Sequence, residues 1–298
     1  MAARKIDALR CTADPALPSF FILGPPRTGT TWLHKILAPH TNLPSPTKET
    51  RFFDQHFDRG LDWYLAHFAP RRRSEIRGEV APTYFASAQA RERLARLIPS
   101  AKVVCIFRNP VERVLSLYRV KRAYGISPWT FEQALLKDPE LFESGRYATH
   151  LKAWQHALGK EQVLPAVFDD IRHEPQKFLD TLTDFIGASR ITLLAPQLEL
   201  VHASEALTHP RSYLLTRAAS AIADWCKAER LDGLLAATKR RSLLKLLLRS
   251  GAKFETVSGD LALKIYNLFR PEIEELELML KRDFRMWKGF PAPRSQAV

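Results

Sequence analysis

The chain has 298 residues, of which 46% are hydrophobic, and this is enough material to bury a sizeable core. A formal net charge of +13 indicates an anionic substrate, cofactor or partner. Three cysteines, Cys11, Cys105 and Cys226, are too few and too scattered for a disulfide framework or a zinc site. Because no apolar segment has the length of a signal peptide or a membrane-spanning helix, we expect a cytoplasmic protein that is at most peripheral to a membrane.

Two segments have the order strand, turn, helix. The apolar run at residues 20–23 is typical of a buried parallel strand, and a glycine-containing turn separates it from a helix predicted over 30–37. A second strand predicted at 101–107 leads through Asn109, a plausible helix cap, into a helix over 111–124. In this order the backbone N–H groups at the start of a helix face an anion.

The remaining pattern continues the alternation. Strands are predicted near 75–80 and 162–168, and helices over 91–98, 146–158 and 175–186. Alternating strands and helices indicate an α/β protein of the P-loop-like kind, with three layers (α/β/α), a central parallel sheet and a helical C-terminal third.

We expect one domain over residues 1–298. Within it, residues 1–17 form an N-terminal extension, and residues from about 204 to 298 form a helical cap and the C-terminal helices.

The segment from Gly24 to Thr31 nearly matches the phosphate loop G-x-x-x-x-G-K-[ST]. Thr30 stands where that loop has lysine, and Arg27 lies three positions earlier. In a nucleoside triphosphate site the lysine contacts the β- and γ-phosphates, while an aspartate at another strand end helps to hold magnesium. Here the second strand ends in Arg108, which binds anions through a bidentate fork and cannot bind a cation. The sequence therefore predicts two anion sites and no metal.

Both segments resemble the sulfotransferases that use 3′-phosphoadenosine 5′-phosphosulfate. Residues 26–31, Pro-Arg-Thr-Gly-Thr-Thr, match the 5′-phosphosulfate loop P-[KR]-[ST]-G-T-T of that family. Residues 108–118 match its 3′-phosphate motif, R-[ND]-P-x-x-R-x-x-S-x-Y, and the resemblance extends over about 18–188. The resemblance implies this nucleotide as the sulfate donor, 3′-phosphoadenosine 5′-phosphate as the product, and no required metal.

The resemblance also assigns roles at the nucleotide. It implies Arg27 at the leaving group, and Arg108 and Ser116 at the 3′-phosphate. Arg113 and Ser116 are three residues apart on the predicted helix and so share a face. Trp32 either stacks on adenine or fills the core. The predicted nucleotide-binding residues are Arg27, Thr28, Gly29, Thr30, Thr31, Trp32, Arg108 and Ser116.

A third match points to the members that act on heparan sulfate and related sugars. Residues 48–54, Lys-Glu-Thr-Arg-Phe-Phe-Asp, and then 60–65 resemble their segment E-x-x-F-F-D…G-x-x-W-Y-L. This implies Glu49 as the general base. Beside it, Lys48 either binds the sulfuryl oxygens or forms an ion pair in a loop.

The base and the acceptor stay open for the reacting centre. Other branches of the family use histidine as the base, so His56 and His150 remain alternatives. Residues 79–85 resemble E-K-[ST]-P-x-Y-F, but Val80 replaces its lysine, which leaves the acceptor undetermined. The expected acceptor is a hydroxyl of a sugar, a glycolipid or a secondary metabolite.

Two other functions fit parts of the sequence. A P-loop kinase would need the loop lysine and strand-end aspartate that this chain lacks. A basic peripheral membrane or nucleic-acid-binding protein would use residues 239–249, a cationic amphipathic segment that otherwise reads as a lid helix. We expect the sulfotransferase, with no nucleic-acid partner and with peripheral membrane contact open.

Overall fold

The computed structural model describes residues 16–70, 76–202, 209–210, 212–228, 254 and 257–288. The chain divides into two compact units, each continuous in space but not in sequence. The first comprises Met1–Arg108 and Arg146–Ala203, and the second comprises Asn109–Gly145 and Ser204–Val298. The expectation of a single domain stays a prediction.

The helices of the described residues alternate with strands as far as residue 167. The strands are β1 (Phe20–Leu23), β2 (Gly78–Val80), β3 (Lys102–Phe107) and β4 (Val163–Val167). The helices are α1 (Thr30–Leu37), α2 (Leu61–Leu65), α3 (Ala88–Leu97), α4 (Pro110–Ala123), α5 (Phe131–Lys137), α6 (Pro139–Glu143), α7 (Tyr147–Leu158), α8 (Phe168–His173), α9 (Pro175–Ile186), α10 (Ala195–His202), α11 (Tyr213–Ala228) and α12 (Gly259–Leu280).

The first unit is built on a parallel sheet with strand order β2-β1-β3-β4. Every residue of β1 is buried, which is typical of a strand with a neighbour on each side and helices on both faces. In the register, Phe21 of β1 lies beside Glu79 of β2, and Leu23 lies beside Cys105 of β3. The prediction of a parallel sheet is confirmed.

Both faces of this sheet are covered within the first unit. Alternate residues of a strand point to opposite faces, so Phe20 and Ile22 pack in one core cluster with side chains of α1, α8 and α9. On the other face, the Phe21 ring lies 5.7 Å from the Phe53 ring. Further along that face, the Phe107 ring lies 6.0 Å from the ring of Phe85. The three-layer architecture is therefore confirmed for the described residues.

Element bounds follow the sequence prediction closely where the pattern is long. The bounds of β1, α1 and α9 agree with the predicted ranges. Helix α3 begins at Ala88, three residues before the predicted start, because the Ser87 hydroxyl accepts the Ala90 N–H at 3.1 Å and caps the helix there. The helices α2, α5 and α6 were not predicted, since five to seven residues carry too little periodicity.

In the second unit, Asn109 caps helix α4 as expected. Its side-chain oxygen accepts the N–H of Val111 at 3.0 Å, and Pro110 occupies the first turn. Arg113 on this helix is fully buried, and its guanidinium donates to the Ser144 hydroxyl and to the Leu141 carbonyl, both at 2.7 Å. The arginine of the second motif therefore ties α4 to α6, and Ser116 on the same helix is half-buried.

The described part of the C-terminal third is helical, as predicted, in α11 and α12. The cationic segment 239–249 and residues 1–15 of the N-terminal extension lie outside the described residues. Within the described residues, no helix combines the length and apolar character needed to cross a membrane.

Substitution of Arg113 by methionine should destabilise the protein by about 2–4 kcal/mol, because Ser144 and the Leu141 carbonyl lose their buried charged donor. Urea denaturation measures the change. Arg270→Met is the matched control, since Arg270 is exposed and pairs only across one turn with Glu274. A Tm and urea midpoint for Arg113→Met equal to those of the control would contradict a structural role.

Candidate functional site

The turn between β1 and α1 is built by two glycines with positive φ. Gly24 has φ +124°, and a Cβ there would lie 2.9 Å from the Thr28 hydroxyl and 3.1 Å from the Ile106 backbone. Gly29 has φ +90°, and a Cβ there would lie 2.8 Å from the Phe168 ring. Both positions therefore require glycine for conformation and for space.

The start of helix α1 carries backbone N–H donors that can bind an anion. The Thr28 hydroxyl is buried and donates to the Pro25 carbonyl at 3.0 Å, so this hydroxyl stabilises the loop itself. The first N–H groups of a helix have no intrahelical acceptor, and here they belong to Thr30 and its neighbours. With no acidic residue in that first turn, the helix start favours an anion.

Arg108 and Arg27 meet at the end of β3. The Arg108 guanidinium donates to the Arg27 carbonyl at 3.1 Å and lies 4.8 Å from the centre of the Phe168 ring. Arg27 itself has φ +79°, a conformation that L-residues rarely adopt. The Arg108 carbonyl in turn accepts the Tyr147 hydroxyl at 2.8 Å. The two predicted anion-binding arginines of the first unit are therefore directly linked.

Arg172 is a cation near this cluster that sequence reasoning missed. Its guanidinium lies 4.9 Å from the centre of the Phe168 ring, the same ring that Arg108 contacts. Only the packing of α8 against the turn brings it there. Ser116, by contrast, belongs to the second unit, and its assignment to the 3′-phosphate stays a prediction.

Lys48 connects the predicted base to the phosphate loop helix. Its Nζ lies 3.0 Å from Oε1 of Glu49 and donates to Oγ1 of Thr30 at 3.4 Å. The Lys48 and Glu49 side chains are 23% and 24% exposed, so both can be reached from solvent. The structure therefore brings together Lys48, Glu49 and the first residue of α1, which sequence analysis had assigned to one reaction.

Directly beneath this segment lies Glu79, a buried carboxylate without an assigned role in the sequence analysis. Its Oε1 accepts the backbone N–H of Thr50 at 2.8 Å and the Thr50 hydroxyl at 2.7 Å. Its Oε2 accepts the Tyr64 hydroxyl at 2.9 Å, and the Tyr84 hydroxyl lies 3.3 Å from both oxygens. Burial raises the pKa of Glu79 to about 7, against the opposing effect of the hydrogen bonds from Thr50 and Tyr64.

The two histidines named as alternative bases pack against aromatic rings. The His56 ring centroid lies 5.3 Å from that of Trp63, and burial lowers the His56 pKa. The His150 ring centroid lies 5.3 Å from that of Phe85, and His150 is buried. These contacts favour packing roles and leave the choice of base a prediction.

His34 was missed, although it lies one helical turn after Thr30 on α1 and therefore on the same face. Its Nε2 is buried without a hydrogen-bond partner among the described residues. Burial and the Lys48 charge lower its pKa, while the Glu49 charge raises it. His34 therefore belongs to the electrostatic surroundings of the Lys48–Glu49 pair.

Trp32 lies in the core, which agrees with one of its two predicted roles. Its side chain is 7% exposed in the cluster beneath the sheet, and its indole N–H donates to the Gln197 carbonyl at 2.9 Å. Stacking on adenine stays a prediction. Among the described residues, no cluster of three or more histidine, cysteine or acidic side chains has the arrangement of a metal site.

Residues 17–207 match a family model, the sulfotransferase domain, and this match covers more than half of the chain. The chain belongs to the sulfotransferase family. The resemblance inferred from the two motifs is thereby confirmed.

Two curated relatives illustrate the match. The mouse bifunctional heparan sulfate N-deacetylase/N-sulfotransferase 1 is 33% identical over 195 residues, which are 58% of this chain and 22% of that protein. The bovine bifunctional heparan sulfate N-deacetylase/N-sulfotransferase 2 is 32% identical over 194 residues, which are 57% of this chain and 22% of that protein. The chain therefore spans only about a fifth of the length of these curated relatives.

Among solved structures, a sulfotransferase from Alicyclobacillus acidocaldarius has a similar fold. The TM-score is 0.65 at 20% identity, and the match covers 92% of this chain and 99% of that one. At this identity the likeness shows the fold alone, and it agrees with the P-loop-like architecture described above.

Substitution of Gly29 by alanine should weaken binding of 3′-phosphoadenosine 5′-phosphate at least about tenfold, because the added Cβ displaces the turn from the start of α1. Isothermal titration calorimetry measures the change. Gly187→Ala is the matched control: Gly187 also has positive φ, +79°, but a Cβ there meets nothing within 4 Å. Equal nucleotide affinity in the two variants would refute a role for the turn in nucleotide binding.

Proposed function

We propose that this chain transfers a sulfuryl group from 3′-phosphoadenosine 5′-phosphosulfate to a hydroxyl of a carbohydrate or glycolipid. The observation that carries the proposal is the contact of Lys48 with both Glu49 and Thr30, because it sets a candidate base beside the start of a phosphate-binding helix. Membership of the sulfotransferase family supports the reaction type.

The donor carries negative charge at both ends, and the proposal assigns one group of residues to each end. The 5′-phosphosulfate would bind Arg27 and the backbone N–H groups of Thr28 to Thr31, which lie at the positive end of α1. The 3′-phosphate would bind the Arg108 guanidinium. The hydrogen bond from Arg108 to the Arg27 carbonyl supports a shared nucleotide site within the first unit.

The chemical step is an in-line displacement at sulfur. The acceptor oxygen forms a bond to sulfur while the bond from sulfur to the 5′-phosphate oxygen breaks, and both electrons of that bond leave with 3′-phosphoadenosine 5′-phosphate. Glu49 takes the proton of the acceptor hydroxyl. Arg27 and Lys48 offset the negative charge on the leaving oxygen and the sulfuryl oxygens.

The acceptor class rests on the names of the relatives. The mouse and bovine proteins are named heparan sulfate N-sulfotransferases, which favours a sugar over a phenol. Because these names specify sulfation at nitrogen, an acceptor panel should include glycans with free amino groups beside glycans with hydroxyls only. Transfer of labelled sulfate from the donor to this panel, with glycolipids and phenols as further members, tests the acceptor class.

Substitution of Glu49 by glutamine should lower kcat by about 10²–10⁴-fold, because a positioned base contributes on that scale. Binding of 3′-phosphoadenosine 5′-phosphate should stay within about twofold, since Glu49 is not assigned to the nucleotide. The control is Glu174→Gln, in which an exposed carboxylate paired only with Lys177 is changed in the same way. A fully active Glu49→Gln variant would remove Glu49 as the base.

A second experiment separates the proposal from a P-loop kinase. Binding of 3′-phosphoadenosine 5′-phosphate should persist in EDTA, because Arg and backbone N–H groups replace the magnesium of a nucleoside triphosphate site. Calorimetry with and without chelator measures this, and ATP with magnesium is the comparison ligand. Loss of nucleotide binding in chelator, or preferred binding of ATP with magnesium, would speak against a sulfotransferase donor site.

A further inference from the structure

Glu79 is a fully buried carboxyl group that the proposed reaction does not use. It lies in the middle of β2, beside Phe21 of the central strand. A buried carboxylate costs free energy unless hydrogen bonds compensate it, and Glu79 has donors on both oxygens. Because burial of this group costs free energy, its hydrogen bonds indicate which neighbouring residues it holds in place.

Two of these bonds hold the residue that follows the proposed base. Thr50 gives Glu79 both its backbone N–H and its hydroxyl, at 2.8 and 2.7 Å. The next residue, Arg51, has φ +53°, so the chain turns sharply just after Thr50. The bonds to Glu79 therefore fix the backbone between the proposed base and this turn.

The tyrosines extend the same network. The Tyr84 hydroxyl bonds to Glu79 and also accepts the Phe53 N–H at 3.4 Å. The Phe53 carbonyl accepts from the Arg93 guanidinium at 2.8 Å. The Tyr64 hydroxyl occupies the other oxygen of Glu79. Segment 50–53 is thus attached to Glu79 of strand β2 and to Tyr84, and helix α2 is attached to the same carboxyl group through Tyr64. All of these residues lie within the first unit.

We propose that Glu79 is a positioning residue that holds the Glu49 carboxylate in place for proton removal by fixing the Thr50 backbone. The inference rests on the proposed function, in which Glu49 is the base. It assigns a catalytic consequence to a side chain that touches neither donor nor acceptor and whose hydrogen bonds hold the segment that begins at Thr50.

The ionisation of Glu79 gives this role a measurable signature. Its pKa is raised to about 7, and the Glu49 charge contributes to the increase. The groups that face it are Thr50, Tyr64 and Tyr84, while Arg77 and Asp54 act on the tyrosines. Protonation removes the negative charge that strengthens the two bonds from Thr50, so Glu79 holds the Thr50 backbone less firmly as pH falls through about 7. The wild-type kcat should fall with it.

The test measures kcat, KM and the pH profile of Glu79→Gln, with Glu174→Gln as the matched exposed control. We expect kcat to fall about 10- to 100-fold, because the neutral amide oxygen of glutamine binds the Thr50 donors more weakly than a carboxylate does, and small displacements of catalytic groups have effects of that size. Affinity for 3′-phosphoadenosine 5′-phosphate should stay within about twofold, which shows that the first unit is folded. The step in kcat near pH 7 should be absent, because glutamine does not titrate.

A double-mutant cycle separates positioning from packing. In the Glu49→Gln background, Glu79→Gln should cause no further loss of kcat, because its effect passes through the missing carboxylate. An equal additional loss in that background would overturn the inference. Unchanged kcat and an unchanged pH profile in the single variant would overturn it too.

Three further outcomes have defined meanings. If Glu79→Gln does not fold, Thr50→Val removes one of the bonds with little change of shape, and an unchanged kcat for Thr50→Val would overturn the inference. If Glu49→Gln is fully active, the base assignment of the proposed function fails. If Glu49→Gln is inactive while Glu79→Gln is unaffected, the positioning role alone fails.

Discussion

The tight turn between β1 and α1 is the constraint on which the candidate site depends. Its two glycines adopt positive φ where a Cβ would collide with Thr28 or with Phe168. The turn delivers the start of α1, and with it Thr30, to the sheet edge where Lys48 reaches it. The turn itself is held in place because β1, which precedes it, has a strand on each side and is fully buried.

A second constraint acts on the residues that would meet the acceptor. The segment that carries Lys48 and Glu49 belongs to no helix or strand, so its shape depends on side-chain hydrogen bonds rather than on a backbone ladder. Glu79 supplies those bonds from inside the sheet. The site thus combines a turn that glycines fix sterically with a loop that a buried carboxyl group fixes through hydrogen bonds.

Much of this was predictable from local pattern. The apolar run of β1, the helix after it and the Asn109 cap are each predicted from a few neighbouring residues, and the structure confirms their positions. The burial of Glu79 was not predictable, because a glutamate in a three-residue strand gives no sign of what covers it. The same holds for Arg113, whose partners Ser144 and Leu141 lie far along the chain. It also holds for Arg172, which comes near Arg108 only because both contact the Phe168 ring. The roles of Glu49 and Ser116 came from family resemblance, since spacing alone does not assign them.

The Phe168 ring connects three positions of the first unit that are far apart in sequence. Its edge stands where a side chain at Gly29 would be, and Arg108 and Arg172 both lie over it. Two things therefore require glycine at position 29. One is the Phe168 ring, which a substitution could make smaller, and the other is the positive φ of the backbone, which it could not change. A smaller residue at Phe168 would relieve only the first, and it would take away the aromatic surface on which both guanidinium groups rest. Substitutions at these positions should consequently be interdependent, each changing which residues the others tolerate.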